Sequence, residues 1–166
     1  MENYIVINGK KAELTQEQLE ALGIKTNENP FNRVEHGNLF YNIGLDGKLY
    51  KNYEYKNGAI KIYDNYYATA NYCTDKKLMT QRALHETLNR LLWRFSCENG
   101  ELENEWNVAN LHYFIYWNEA YNKIDIAFSN LKKYEGVIYF PSHKIAKRAK
   151  KEIVKPFIKE HPEFVW

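Results

Sequence analysis

The chain has 166 residues, of which 45% are hydrophobic, and its formal net charge is +2. This length and apolar content predict one domain, residues 1–166, with subregions 1–73 and 74–166 that share a core. No run of apolar residues is long enough for a membrane-spanning helix. The N-terminal residues do not show the basic segment followed by an apolar stretch that is typical of an export signal. We therefore expect a cytoplasmic protein with reduced cysteines.

The first half of the chain contains two hairpin patterns. Residues 4–14 place Asn8-Gly9 between an apolar run and an alternating run, which favours a tight hairpin turn. Thr15 then begins a short helix with a capping-box pattern, and Gly23 stands where such a helix ends. The second hairpin joins residues 39–43 to 48–53 through a turn that contains Asp46-Gly47.

Residues 59–73 alternate only weakly between apolar and polar side chains, and we expect an irregular strand or a connecting segment there. A long helix is expected over residues 75–97. It starts at Thr74 or Asp75, ends at Asn99-Gly100, and carries a single apolar stripe made of Leu84, Leu88, Leu91, Leu92 and Phe95.

The last third predicts strands at 111–117, 124–128 and 137–140, and then a helix that Ser142 begins. Pro156 should kink this helix, because proline removes a backbone donor and crowds the preceding turn. The sequence thus predicts an α+β fold in which an antiparallel sheet, built from hairpins, packs on one long central helix and a kinked C-terminal helix.

Patterns for catalysis or metal binding are weak. His85-Glu86 lacks a second histidine four residues on, since position 89 is Asn, so the zinc-protease pattern fails. Cys73 and Cys97 have no spacing typical of a metal or redox site. We predict no catalytic residue, no metal ligand and no cofactor, and hence a protein that is not an enzyme. A nuclease function would require the side chains of His85, Glu86, His112 and the acidic residues at 98–105 to lie together in one site of the folded protein.

Aromatic residues are unusually frequent, with 14 Tyr, 8 Phe and 4 Trp. Tyrosine offers a large contact area at a low cost in side-chain entropy, so a surplus beyond the needs of the core is typical of binding surfaces. The candidate partner-binding residues combine tyrosines with the basic last helix: Tyr53, Tyr55, Tyr66, Tyr67, Lys147, Arg148 and Lys151.

Positive charge is concentrated at the end of the chain, where residues 136–166 hold seven Lys and Arg against three Asp and Glu. A nucleic-acid contact through residues 144–159 is therefore an alternative function, although no sequence-reading motif accompanies it. A hairpin edge strand that pairs with its twin would make a homodimer.

Several stretches resemble small phage and prophage accessory proteins of Gram-positive bacteria: YIVINGKKAELT at 4–15, NPF at 29–31, ANYCT at 70–74, RALHETLNRLLW at 82–93, YFIYW at 113–117 and VIYFPS at 137–142. The resemblance covers most of the chain, and its motifs are structural junctions. It implies a mobile-element protein in the cytoplasm of a bacterial host. Such proteins include inhibitors of host defence proteins, most concretely anti-CRISPR proteins that block an RNA-guided effector nuclease.

Overall fold

The computed structural model describes residues 4–7, 10–22, 29–55, 60–100 and 106–166. Strands β1 (Tyr4–Ile7) and β2 (Lys10–Glu13) pair antiparallel, and helix α1 (Gln16–Ala21) follows. The capping box is confirmed, because the Thr15 amide donates to Gln18 Oε1 at 2.8 Å and the Gln18 amide donates to Thr15 Oγ1 at 3.3 Å. The expected turn at Asn8-Gly9 and the helix end at Gly23 lie outside the described residues.

The second hairpin, β3 (Leu39–Ile43) and β4 (Leu49–Tyr53), is confirmed, and its β3 strand is covered on both faces. Ile43 on one face packs against Met79 and Ala83 of the long helix. Phe40 on the other face stacks on Tyr72, with ring centroids 4.1 Å apart. β3 is therefore an inner strand of the N-terminal half, whereas β4 is largely exposed.

The expectation of an irregular strand or a connecting segment over residues 59–73 is wrong at its centre, where helix α2 (Lys61–Ala68) forms. Tyr66 and Tyr67 follow Tyr63 by three and four residues, and side chains at this spacing lie on the same side of a helix. Tyr63 packs edge-on against Phe40 with centroids 5.0 Å apart, so tertiary packing supports a helix that has no side-chain cap. Ala70, with φ of 54°, ends the turn in the left-handed region.

Helix α3 (Lys76–Glu98) is the predicted long helix. Its start is capped by Asp75, whose Oδ1 accepts from the Leu78 amide at 2.9 Å, and Gly100 follows its end with φ of +100°. The predicted apolar stripe faces the C-terminal half of the chain. Met79 and Ala83 instead face β3 and β4, so α3 serves two packing surfaces.

The C-terminal sheet has the strand order β6-β5-β7 and is antiparallel throughout. Its strands are β5 (His112–Asn118), β6 (Lys123–Ser129) and the short β7 (Tyr139–Phe140), with a 3₁₀ turn, Glu119–Tyr121, between β5 and β6. Ile115 and Ile126 pair across the sheet and pack on the core. That core combines α3, the sheet and the last helix.

The last helix consists of α4 (His143–Ala149), a π turn (Lys150–Val154) and α5 (Lys155–Glu160). Ser142 caps it as predicted, because its Oγ accepts from the Ile145 amide at 3.3 Å. A kink was predicted at Pro156; the structure shows the π turn just before it, where proline has no amide hydrogen and crowds the carbonyl of Glu152 four residues earlier. The α+β class predicted from sequence is thus confirmed.

Of the helices described, none combines the length and apolar character that are needed to cross a bilayer.

Candidate functional site

A partly buried ion pair organises the N-terminal half. Glu54 follows β4 directly and is only 4% exposed. Its carboxylate accepts two hydrogen bonds from Arg33, Nε to Oε2 at 3.1 Å and Nη2 to Oε1 at 3.0 Å. The Tyr72 hydroxyl donates to Oε2 at 2.9 Å. Arg33 also pairs with Asp64 of α2 at 2.5 Å, so the ion pair ties the segment before β3 to β4 and α2.

The surroundings of Glu54 and Arg33 favour their charged forms. Burial acts to raise the pKa of Glu54, but the hydrogen bonds from Arg33 and Tyr72 and the attraction of the Arg33 charge outweigh it, so the pKa is lowered. Hydrogen bonds to Glu54 and Asp64 raise the pKa of Arg33. Burial raises the pKa of Tyr72. Glu54 therefore carries its negative charge at neutral pH, where it serves as the acceptor for Arg33 and Tyr72.

Tyrosines surround this cluster and form what we call the tyrosine surface: Tyr55, Tyr63, Tyr66 and Tyr67. Tyr55 is 52% exposed and Tyr67 43% exposed, whereas Tyr63 and Tyr66 are half-buried. The pKa of Tyr63 is raised, chiefly by burial and then by Tyr55, Glu54 and Tyr66. The Tyr67 ring meets Tyr72 edge-on at 5.6 Å, and the Arg33 guanidinium carbon lies 5.9 Å from its centroid.

Tyr53 does not belong to this surface. It lies on the β4 face that carries Leu49, which is the face turned toward α3, and it is 50% exposed. The Lys51 ammonium stands 5.5 Å from the centroid of its ring. Three of the four predicted tyrosines, Tyr55, Tyr66 and Tyr67, thus share a surface.

The predicted basic residues Lys147, Arg148 and Lys151 are all exposed on the last helix. Arg148 is held by Glu152, with Nε to Oε1 at 3.1 Å, and by Asn99 Oδ1 at 3.1 Å. Its guanidinium carbon also lies 5.3 Å from the Phe95 ring centroid, which fixes it to the end of α3.

The tyrosine surface and Arg148 adjoin different parts of α3. The carbonyl of Ala70, close behind α2, accepts from Arg82 in the first half of α3, whereas Arg148 packs on Phe95 near its end. Thirteen residues separate Arg82 from Phe95, which is about 20 Å along a helix axis. The tyrosines and basic residues that were grouped from sequence therefore do not form one continuous site.

The residues that a nuclease would bring together lie in different surroundings. His85 packs on Phe164 at 4.7 Å, and Glu86 pairs with Arg82 at 2.8 Å. His112 is buried and stacks on Trp106 at 3.9 Å. Residues 101–105, which hold three of the acids, lie outside the described residues. In the described ranges, no group of three or more His, Cys, Asp or Glu side chains could hold a metal ion.

A cleft of about 170 Å³ opens between α3, the segment before β7 and the C-terminal residues. Its polar side chains are His85 and Asn89, and its lining is otherwise mostly apolar: Leu88, Leu92, Ile115, Val137, Ile138, Phe140, Phe164 and Trp166. Two polar groups on one helix offer little to orient a reacting substrate.

The outer edge of β6 carries two capped backbone groups. Lys150 donates to the carbonyl of Ile124, and Asp125 Oδ1 accepts from the Ile126 amide at 3.1 Å. Residues 124 and 126 are two positions apart on the strand, so their backbone N–H and C=O groups point to the same edge. These caps oppose the edge pairing that a homodimer of this sheet would need.

Sequence reasoning missed the Arg33–Glu54–Tyr72 cluster. Glu54 lies 21 residues after Arg33 and 18 residues before Tyr72 in the chain. No local spacing marks such a contact, since it depends on how α2 and the β3–β4 hairpin meet. The one available signal was the Glu between Tyr53 and Tyr55, a charged residue within an aromatic run.

No protein-family model matches the chain, and neither a curated protein nor a solved structure matches it significantly.

Proposed function

We propose that the chain is a non-enzymatic interaction protein that inhibits a host defence system by binding to it, most concretely an anti-CRISPR protein that occupies an RNA-guided effector nuclease. The observation that carries the proposal is the tyrosine surface, where the exposed rings of Tyr55 and Tyr67 adjoin the Arg33–Glu54–Tyr72 hydrogen-bond network. The resemblance of the sequence to phage accessory proteins supports the choice of partner.

Aromatic side chains with little conformational freedom are among the main contributors to binding energy at protein interfaces. Tyrosine and arginine are enriched among the residues that dominate binding energy. Tyr55 and Tyr67 expose about half of their surface, yet Tyr67 is fixed by its ring contact with Tyr72 and by Arg33. Because Tyr67 is already held in place, it loses little side-chain freedom on binding, which lowers the entropic cost of the contact.

The test is phage plating on bacteria whose CRISPR immunity targets that phage. Expression of the wild-type chain should restore plaque formation, and the purified chain should co-elute with the effector nuclease. The double variant Tyr55→Ala, Tyr67→Ala should bind at least about tenfold more weakly, because truncating interface aromatic residues costs roughly 1–2 kcal/mol or more each.

Tyr121→Ala is the matched control, since Tyr121 is 73% exposed in the turn between β5 and β6, away from the tyrosine surface. It should protect phage like the wild type. Circular dichroism of each variant confirms that it is folded. The proposal is wrong if the wild-type chain protects phage in no CRISPR-bearing host, or if Tyr121→Ala is as harmful as the double variant.

A further inference from the structure

The exposure pattern of the last helix repeats every four residues. The side chains that face the interior form adjacent pairs: Ile145 and Ala146, Ala149 and Lys150, Ile153 and Val154, Phe157 and Ile158. The exposed pairs between them are residues 147–148, 151–152, 155–156 and 159–160. A regular four-residue period over this length is unusual for an α-helix, which has 3.6 residues per turn.

The π turn accounts for this period. In an α-helix, four residues advance about 40° beyond a full turn, so three such steps would rotate a side chain by roughly 120°. The π turn at Lys150–Val154 closes i→i+5 hydrogen bonds and so holds more residues per turn, which takes up part of this rotation. Residues spaced by four are therefore kept near one side of the helix.

Four lysines occupy this exposed line, and we call them the lysine row: Lys147, Lys151, Lys155 and Lys159. Among the described residues, none of them forms an ion pair. The neighbouring carboxylate of Glu152 is engaged by Arg148 instead, so it offsets the charge of the row less than an unpaired acid would. The row is roughly 18 Å long, with a positive charge about every 6 Å.

We propose that the lysine row binds the phosphodiester backbone of a nucleic acid without reading its sequence. A lysine ammonium contacts phosphate as a point charge on a flexible stem, and a regular line of such charges complements the regularly spaced anions of a nucleic-acid strand. The exposed pairs that contain the row hold no Asn or Gln, and their one arginine, Arg148, is already engaged by Glu152 and Asn99, so none is placed to recognise a base edge through two hydrogen bonds.

A membrane surface fits this helix less well. A helix that lies in a lipid interface inserts an apolar face among the headgroups. The apolar face here is already used in the protein core, because Ala146, Ala149, Val154 and Phe157 are buried. Only the charged side is left to bind, and it suits a polyanion in water.

The test is fluorescence anisotropy of the full chain with short labelled DNA of mixed sequence, as duplex and as single strand. Four phosphate contacts predict a slope of log affinity against log salt of about −3.6 for duplex and −2.8 for single strands. Affinity should then fall roughly 50- to 150-fold between about 50 and 200 mM salt. The variant Lys151→Glu, Lys155→Glu should bind at least about tenfold more weakly, with a slope shallower by roughly 1.4 to 1.8.

Lys76→Glu, Lys77→Glu is the matched control, because it changes the net charge equally at exposed lysines in the first turn of α3. It should keep most of the affinity. The exchange Lys151→Glu, Glu152→Lys tests the row itself, since net charge and composition stay the same while the row is interrupted. This variant should also weaken binding.

The proposal is overturned if neither form of DNA binds at low salt, if both double variants weaken binding equally, or if the exchange variant binds like the wild type. Binding to vesicles that contain phosphatidylserine but not to DNA would overturn it in favour of a lipid surface. It does not depend on the proposed function, because the tyrosine surface is unchanged in every variant named here.

Discussion

Loss of the Glu54 charge should destabilise the protein with almost no change in side-chain shape. Glu54→Gln keeps the side-chain volume but removes the charge that pairs with Arg33. We expect a loss of about 2–3 kcal/mol in the free energy of unfolding, less than for a fully buried pair because Arg33 is one-third exposed. Urea unfolding measures it. Glu35→Gln, at an exposed carboxylate in the same segment, should change stability little, and equal losses in both variants would contradict this role.

The same carboxylate should make stability depend on pH. The folded-state pKa of Glu54 lies below its ordinary value of 4.5, so its stabilising contribution is complete above that pH and is lost as the pH falls through the folded-state pKa. The difference in unfolding free energy between the wild type and Glu54→Gln should therefore be largest at neutral pH and should shrink in acid. A difference that stays constant with pH would show that charge is not its cause.

At the scale of elements, local patterns predicted most of the fold, and tertiary contacts decided the rest. Asp75 and Ser142 cap helices as predicted, because a cap depends on residues three positions apart. Helix α2 was missed since its support comes from Phe40 and Tyr72, which lie outside it. Sequence reasoning named Tyr55, Tyr66 and Tyr67 but grouped Tyr53 with them and left out Tyr63, because which phenols share a surface depends on how α2 packs against the hairpin.

The tip of the β3–β4 hairpin should be sensitive to added volume where it meets α3. Gly47 has φ of +79°, and a Cβ there would lie 2.8 Å from Thr87 Oγ1. Gly37 has a similar φ of +85°, but a Cβ there would meet nothing within 4 Å. We expect Gly37→Ala to cost about 1 kcal/mol from backbone strain alone, and Gly47→Ala about 1 kcal/mol more.

Thr87→Ala should remove the additional cost if the contact is its source. In a double-mutant cycle measured by urea unfolding, Gly47→Ala should cost less in the Thr87→Ala background than in the wild type. Equal losses for Gly47→Ala and Gly37→Ala would show that the hairpin tip does not pack closely on α3.

For the whole molecule, α3 is the element that both halves share. Met79 and Ala83 near its start belong to the core with Ile43, whereas Leu88 and Leu92 belong to the core with the C-terminal sheet and last helix. A continuous helix of 23 residues couples the two cores, because unfolding either one removes packing that the helix needs. We therefore expect residues 1–73 and 74–166 to unfold together.

The distribution of tryptophan allows a direct test of this coupling, since Trp93, Trp106, Trp117 and Trp166 all lie in the C-terminal half. Met79 is fully buried in the core that also contains Ile43, so Met79→Ala should leave a cavity there. We expect the free energy of unfolding to fall by about 2–5 kcal/mol. If the halves are coupled, tryptophan fluorescence and far-UV circular dichroism should report one coincident urea transition, which Met79→Ala shifts to lower urea for both signals. A fluorescence transition that stays in place while the dichroism becomes biphasic would show that the C-terminal half folds independently.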